Sequence, residues 1–322
     1  MLNVLIITLP FFALVLCGYL AVRRHVLPQL AIPGLNSFVL YFALPCMLYR
    51  FAANTPLAQL LDVGVSAAYL ACALVTVGLT LALTVRRDGW NNASFGALVA
   101  AFPNTGFMGL PLLLALVGPR SSGPIIVTMA IDLIITTSLC VALSRLASPG
   151  HAAQSSMAAL QHALRGMLKN PMPWAIVLGG LASGFGLVLP GPFDATLKLL
   201  ADAASPVALF TIGAVIARSQ MQAGASASLP DALSQSVPVV LIKLVVHPLL
   251  MFGIGHLAIA LGLPLSPTAL TVLVLVACLP SASNVAMLAE RFGADTGRVA
   301  RIILLSTSLS FLSFSAAVAL IR

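Results

Sequence analysis

Ten stretches of roughly twenty mostly apolar residues recur along this sequence, at about 2–22, 33–52, 65–85, 93–117, 123–144, 172–190, 196–217, 237–261, 267–289 and 299–321. A helical run of that length matches the hydrocarbon thickness of a bilayer. Only 7% of the 322 residues are charged and 60% are hydrophobic, which leaves no polar skin for a water-soluble globule. The runs are continuous rather than alternating, so a transmembrane β-barrel is excluded. The expected fold class is an all-α polytopic membrane protein with ten transmembrane helices. The opening MLNVLIITLP has no basic leader and is read as the start of the first membrane helix rather than a cleaved signal.

The loops alternate sharply in charge. One side collects Arg23, Arg24, Arg86, Arg87, Arg145, Arg165, Lys169, Arg218, Arg291, Arg298 and Arg301, and the other only Arg120, Lys198 and Arg322. Basic loops stay in the cytoplasm, so both termini are expected outside, on the periplasmic side of a bacterial inner membrane. A net charge of +8 would suggest nucleic acid in a soluble protein. Here it sets topology, and no nucleic-acid partner is expected. Cys17, Cys46, Cys72, Cys140 and Cys278 all lie inside apolar runs without a CxxC pair, as packing residues rather than disulfides or metal ligands do.

The Ser/Ala/Gln-rich connection Ala147 to Asn170 divides the chain into a first five-helix repeat (1–147), a cytoplasmic linker (148–170) and a second repeat (171–322). Because five is odd, the two halves must insert in opposite directions, which is the inverted-repeat condition. The second span of each half carries a central proline, Pro45 or Pro206. The fourth carries Pro103 or Pro280, and the fifth is rich in Ser and Thr.

The fourth spans hold the strongest functional signal. Pro103-Asn104-Thr105-Gly106 interrupts one and Pro280-Ser281-Ala282-Ser283-Asn284 the other. Exposed backbone at mid-membrane is tolerated only where it is buried in protein or lines a cavity. Each proline removes one helix hydrogen bond. The carbonyls expected to be released are those of Val99 and Val276, with Tyr41 and Asp202 in the second spans. Half-helix N-termini suit a carboxylate and released carbonyls suit a cation. Asn104, Thr105, Ser281, Ser283 and Asn284 are placed either to cap these ends or to bond a ligand directly. Gly106 and Gly109 keep the wall thin for a ligand or a neighbouring helix. The expected substrate-binding set is Pro103, Asn104, Thr105, Gly106, Pro280, Ser281, Ser283 and Asn284.

Ionisable residues inside the spans come next, since charge at the bilayer centre costs at least about 2.5 kcal/mol. Asp132 lies in the fifth span, and Asp202 one turn before Pro206. Lys243 and His247 lie on one face of the eighth span. These four form the ion-coupling set, against the alternatives of a structural ion pair or a snorkelling lysine. Arg50 ends the second span as an interfacial residue, and His256 is a lone histidine on an apolar face. Trp90 and Trp174 near span ends suit interface anchors.

Asn104-Thr-Gly-Phe-Met-Gly109-Leu-Pro111 resembles the N-x-G-x-x-G-x-P crossover of the auxin efflux carrier family. Lys243-Leu-Val-Val-His-Pro248 resembles that family's K-L-x-x-x-P, and Leu279-Pro-Ser-Ala-Ser-Asn284, Ala289-Glu-Arg-Phe-Gly293 and Thr307-Ser-Leu-Ser310 also fit. The likeness runs from Ala43 to Ser310. It implies the fold shared with bile-acid sodium symporters: two inverted five-helix repeats whose broken helices 4 and 9 cross to form the substrate site, in a core that moves against a scaffold. It implies a secondary transporter of small organic anions and carboxylic acids, not an enzyme, with Pro103, Asn104, Pro280 and Asn284 in the crossover role. The long cytoplasmic insertion of plant members is missing, as in short bacterial ones, and Phe107-Met108 makes the first crossover apolar.

The expected partners are a small carboxylate and the bilayer, with a homodimer left open. No cofactor or metal is expected. The coupling ion is H+ or Na+, with no acidic cluster marking a sodium site. Alternatives are a bile-acid-type sodium symporter, a channel, or an intramembrane enzyme built on Ser183 in Leu181-Ala-Ser183-Gly-Phe-Gly186, where the expected glycine two positions before the serine is Leu181. The topology is checked with single cysteines. A membrane-impermeant thiol reagent should label Lys198→Cys from outside and Arg165→Cys only after permeabilisation; the reverse pattern overturns the orientation.

Overall fold

A computed structural model describes residues 2–145, 171–222 and 229–321. The linker expected at 148–170, with Arg165 and Lys169, lies outside the described residues, as does Arg322. Apart from one isolated β-bridge, the described chain is helical throughout. The main helices are α1 (Leu2–Arg23), α2 (Gln29–Ala53), α3 (63–88), α4 (90–101), α5 (Thr105–Val117) and α6 (Pro119–Ser144). They continue as α7 (Pro171–Phe185), α8 (Gly191–Gln222), α9 (229–260), α10 (Pro267–Ala277), α11 (Asn284–Arg291) and α12 (Thr296–Ile321).

Six helical stretches are long and apolar enough to cross a membrane: Gln29–Ala53, Leu57–Ala101, Pro119–Ser144, Gly191–Arg218, Leu233–Ala260 and Thr296–Leu320. Shorter apolar helices occupy Phe12–Arg23, Thr105–Val117, Pro171–Phe185 and Pro267–Ala277. The stretch Leu57–Ala101, at about 1.5 Å per residue, is far longer than one bilayer. It is divided at Gly89, whose φ of 72° and ψ of 165° lie outside the helical region. Only glycine adopts that conformation without strain, so the kink between α3 and α4 is built into the sequence there.

Three of the prolines inside helices are absorbed by local widening. The turns Val39–Ala43, Thr105–Gly109 and Ile242–Val246 are π-helical, and each is followed two positions later by Pro45, Pro111 or Pro248. The last N–H before each proline, on Leu44, Leu110 or His247, reaches back five residues instead of four. One extra residue per turn lets the chain skip the donor that proline lacks without losing helical direction. A fourth wide turn, Asp132–Thr136, has no such proline and instead presents Asp132 to the interior.

The helices pack mainly in two groups. One contains α1, α2, α7 and α8; the other contains α3 to α6 and α9 to α12. The first group is held by backbone contact. A Cβ on Gly18 of α1 would sit 1.8 Å from the Phe210 carbonyl oxygen of α8, and one on Gly213 of α8 would sit 1.8 Å from that of Val15. Two glycines opposed in this way let the helices touch backbone to backbone, as small residues do in membrane helix pairs. Tyr19 adds a hydrogen bond to Gln220 at 2.7 Å, and Arg50 on α2 pairs with Asp194 at the start of α8. Trp90 and Trp174 are partly exposed near helix ends.

In the second group, a polar stripe runs down the buried face of α3. Thr76, Thr80 and Thr84 each donate to the carbonyl four residues earlier, at 2.7–2.8 Å. That back-bonding satisfies hydroxyls that are fully or almost fully buried. Gly18→Ala should lower the thermal stability of the purified protein by about 1–3 kcal/mol through overpacking. Gly253→Ala, where nothing lies within 4 Å of the added carbon, serves as control and should not; equal effects would remove the α1–α8 backbone contact as a constraint.

Candidate functional site

The two interrupted segments meet. Helix α4 closes with the Phe102 N–H donating to the Leu98 carbonyl at 2.9 Å, and Pro103 then leaves the helical path. The Phe102 carbonyl accepts from the Ala282 N–H at 3.0 Å, and the Asn104 N–H donates to the Pro280 carbonyl at 2.7 Å. Pro103 and Ser281 thereby form an antiparallel bridge. Beyond it the Asn104 carbonyl accepts from both Met108 and Gly109, at 3.1 and 3.0 Å, and starts the widened first turn of α5. The Ser281 N–H donates to Ser306 Oγ of α12 at 3.2 Å. Backbone freed by the prolines is therefore satisfied across the break, as polar groups at membrane depth require.

The side chains divide into two levels. Pro103, Asn104, Thr105, Pro280 and Ser281 are buried at the crossing. Asn104 makes no side-chain cap; its backbone does that work. Thr105 donates weakly to the Pro103 carbonyl at 3.4 Å, and Ser281 Oγ is buried without a partner among the described residues. Gly109 is needed for packing: a Cβ there would fall 2.5 Å from Leu279 Cδ1. Gly106 faces Met129 Cε at 2.9 Å in the same way. Both glycines thus admit neighbouring side chains.

Ser283 and Asn284 reach a cavity of ≈ 340 Å³. One wall is α2 and α8, with Asn36 and Thr211. The other is α11, α12 and Phe107. The cavity lies between the two helix groups, and Arg218 of α8 and Arg301 of α12, half-buried, also line it. Those arginines belong to the basic face of the molecule. In sequence they counted only as topology signals, and nothing but the fold shows that they border the crossing.

The carbonyl expected to be released from Val276 is not free. The last turn of α10 tightens, and Val276 accepts from the Leu279 N–H at 3.1 Å. The neighbouring Ala277 carbonyl instead takes a side-chain cation, Lys243 Nζ, at 3.4 Å. A lysine at a helix C-terminus suits the negative end of the dipole. Lys243 Nζ also lies 3.0 Å from His247 Nδ1, and both side chains are fully buried. Across α3, fully buried Asp132 accepts from Tyr69 Oη at 2.6 Å and from Thr136 Oγ1 at 3.0 Å. Asp132 and Lys243 make no ion pair with each other among the described residues. His247 Nε2 is buried with no partner among the described residues, and its carbonyl lies 3.9 Å from Cys72 Sγ.

Three of the four ion-coupling candidates are therefore brought together. The fourth is not: Asp202 is exposed and pairs with Lys198 at 3.2 Å, one turn away on α8. Sequence reasoning missed Tyr69, since an apolar third span gives a tyrosine no distinguishing neighbour. It also missed the buried pair of Arg298 with Asp88 at 2.6 Å, which ties the start of α12 to the kink at Gly89. Ser183 donates to the Thr55 carbonyl at 2.7 Å, and His256 packs edge-on against Phe252.

A model of a family described as membrane transport protein matches residues 4–318. A protein of Rhizobium meliloti (strain 1021) that carries the provisional name of malonate transporter is 29% identical over 321 residues, covering 98% of this chain and 95% of that one. An uncharacterized transporter of Escherichia coli (strain K12), YfdV, is 26% identical, covering 89% and 88%. An uncharacterized transporter of Methanothermobacter thermautotrophicus is 27% identical, covering 95% and 94%.

Tyr69→Phe removes one donor from a buried carboxylate and should lower thermal stability by about 1.5–3 kcal/mol. Tyr41→Phe, on an exposed tyrosine, should change it little. A silent Tyr69→Phe would show that the Asp132 contact does not matter to the fold.

Proposed function

We propose that this chain, which belongs to the membrane transport protein family of the auxin efflux carriers, is a secondary carrier for a small organic acid anion. The anion is held where the two interrupted helices cross. One observation carries this reading: the antiparallel pairing of residues 102–104 with 280–282 beside a cavity that separates two helix groups. Just beyond that pairing, Ser283 and the Asn284 amide line a space that one group can open or close by moving against the other. That is the arrangement alternating access needs.

The reading requires ten crossings in two inverted repeats. The division of Leu57–Ala101 at Gly89, and the pairing of α4 and α5 against α10 and α11, support it. If basic loops face the cytoplasm, the cavity beside Arg218 and Arg301 opens inward, both termini lie outside, and the membrane is the cytoplasmic one. The name of the Rhizobium meliloti relative supports a short carboxylate as cargo.

For coupling we favour a proton over sodium. The buried cluster offers a carboxylate, an amine and an imidazole, with a lysine ammonium already on the helix-end carbonyl that a bound cation would want. Movement of a proton among Asp132, Lys243 and His247 would alter the charge beside the crossing.

In proteoliposomes, Asn104→Ala and Asn284→Ala should each reduce saturable counterflow of labelled malonate about tenfold or more, the cost of a lost ligand hydrogen bond, without loss of membrane insertion. Unchanged counterflow in both variants would refute the crossing as the site, and conduction without exchange would replace the carrier with a pore. Asp132→Asn and Lys243→Met should each flatten the pH dependence of uptake; an unaltered profile in both removes the cluster from coupling.

A further inference from the structure

We propose that Arg218 and Arg301 form a second anion subsite that makes the cavity selective for dicarboxylates over monocarboxylates. The proposal deepens the carrier reading and rests on it for the first carboxylate, at Ser283 and Asn284. Four observations support it. The two arginines come from opposite walls, one on α8 and one on α12, and line the same cavity as Ser283 and Asn284. Among the described residues no aspartate or glutamate lines that cavity, and neither arginine makes an ion pair. Arg301 Nε is buried with no hydrogen-bond partner, and its Nη1 lies over Gly297, which also lines the cavity. The described carboxylate close by, Asp295, caps the start of α12 by accepting from the Arg298 N–H at 2.9 Å and makes no ion pair with Arg301.

Two guanidinium groups that line one space, with no ion pair among the described residues, repel each other, and the shape of each fork suits a carboxylate. A monocarboxylate held at Asn284 leaves that repulsion in place. A short dicarboxylate relieves it, because its second carboxylate enters between the forks. Since the arginines stand on different helix groups, the doubly charged ligand also bridges the groups. Substrate charge would then bias the position of one group against the other, through a differential contact that a singly charged acid cannot make.

The experiment follows the thermal stability of the purified full chain against malonate and propionate concentration. Wild type should reach half-maximal stabilisation at lower malonate than propionate. The ratio of the two concentrations should change by about tenfold or more towards propionate in Arg218→Gln and in Arg301→Gln. The variants are read separately, so that poor folding of one leaves the other decisive, and Arg301→Lys should retain part of the preference. Equal affinity for the two acids in wild type, or an unchanged ratio in both glutamine variants, overturns the proposal. Asn284→Ala separates it from the carrier reading. Weaker binding of both acids with the ratio intact supports both ideas. No weakening there, with the ratio still falling in the arginine variants, overturns the crossing as the first-carboxylate site and leaves the arginines as an anion site of their own.

Discussion

The two backbone hydrogen bonds that join residues 102–104 to 280–282 are the contact on which the rest of the molecule depends. Hydrocarbon offers no partner for an N–H or C=O, and an orphaned group there costs several kcal/mol. Two broken helices are therefore an unaffordable defect separately and a stable device together. Each supplies the donor the other lacks, and the bridge they form is too short to be completed by anything else nearby. Polar backbone is thereby held inside the protein next to the cavity that Ser283 and Asn284 line, at the cost of a little helix.

Buried charge is handled by the same logic. Lys243 sits on the carbonyl end of α10, and Asp132 is held by Tyr69 and Thr136. Each group has its own polar setting, so neither depends on a direct ion pair with the other. Widened turns at Val39–Ala43, Thr105–Gly109 and Ile242–Val246 show how three prolines are accommodated, the N–H ahead of each finding a carbonyl five residues back.

Much of the site was legible because its signals are chemical and local. Proline among small polar residues inside an apolar run has few explanations, and Pro103 and Pro280 do lie at the crossing. Lys243 and His247, one turn apart, share a face as helical spacing requires. Other parts depended on distance. The carbonyl that meets the cation belongs to Ala277 rather than Val276, because the final turn of α10 tightened. Asp202 looked like a partner for the buried cluster, but α8 carries it to an exposed position beside Lys198. Tyr69 could not be found from its neighbours, since what marks it is a carboxylate 63 residues later. Arg218 and Arg301 were read by what they do for insertion, and only the fold places them around one hollow.

Helix α1 is seated on α8 through Gly18 and Gly213, and Tyr19 bonds to Gln220, 201 residues further along. During synthesis α1 enters the lipid long before α8 and must wait there, its groove facing acyl chains, until the helices between them have followed. A helix made early is thus locked in place late. Nascent chains that stop before α8 would leave that groove bare, open to any other helix with a small residue at the right height.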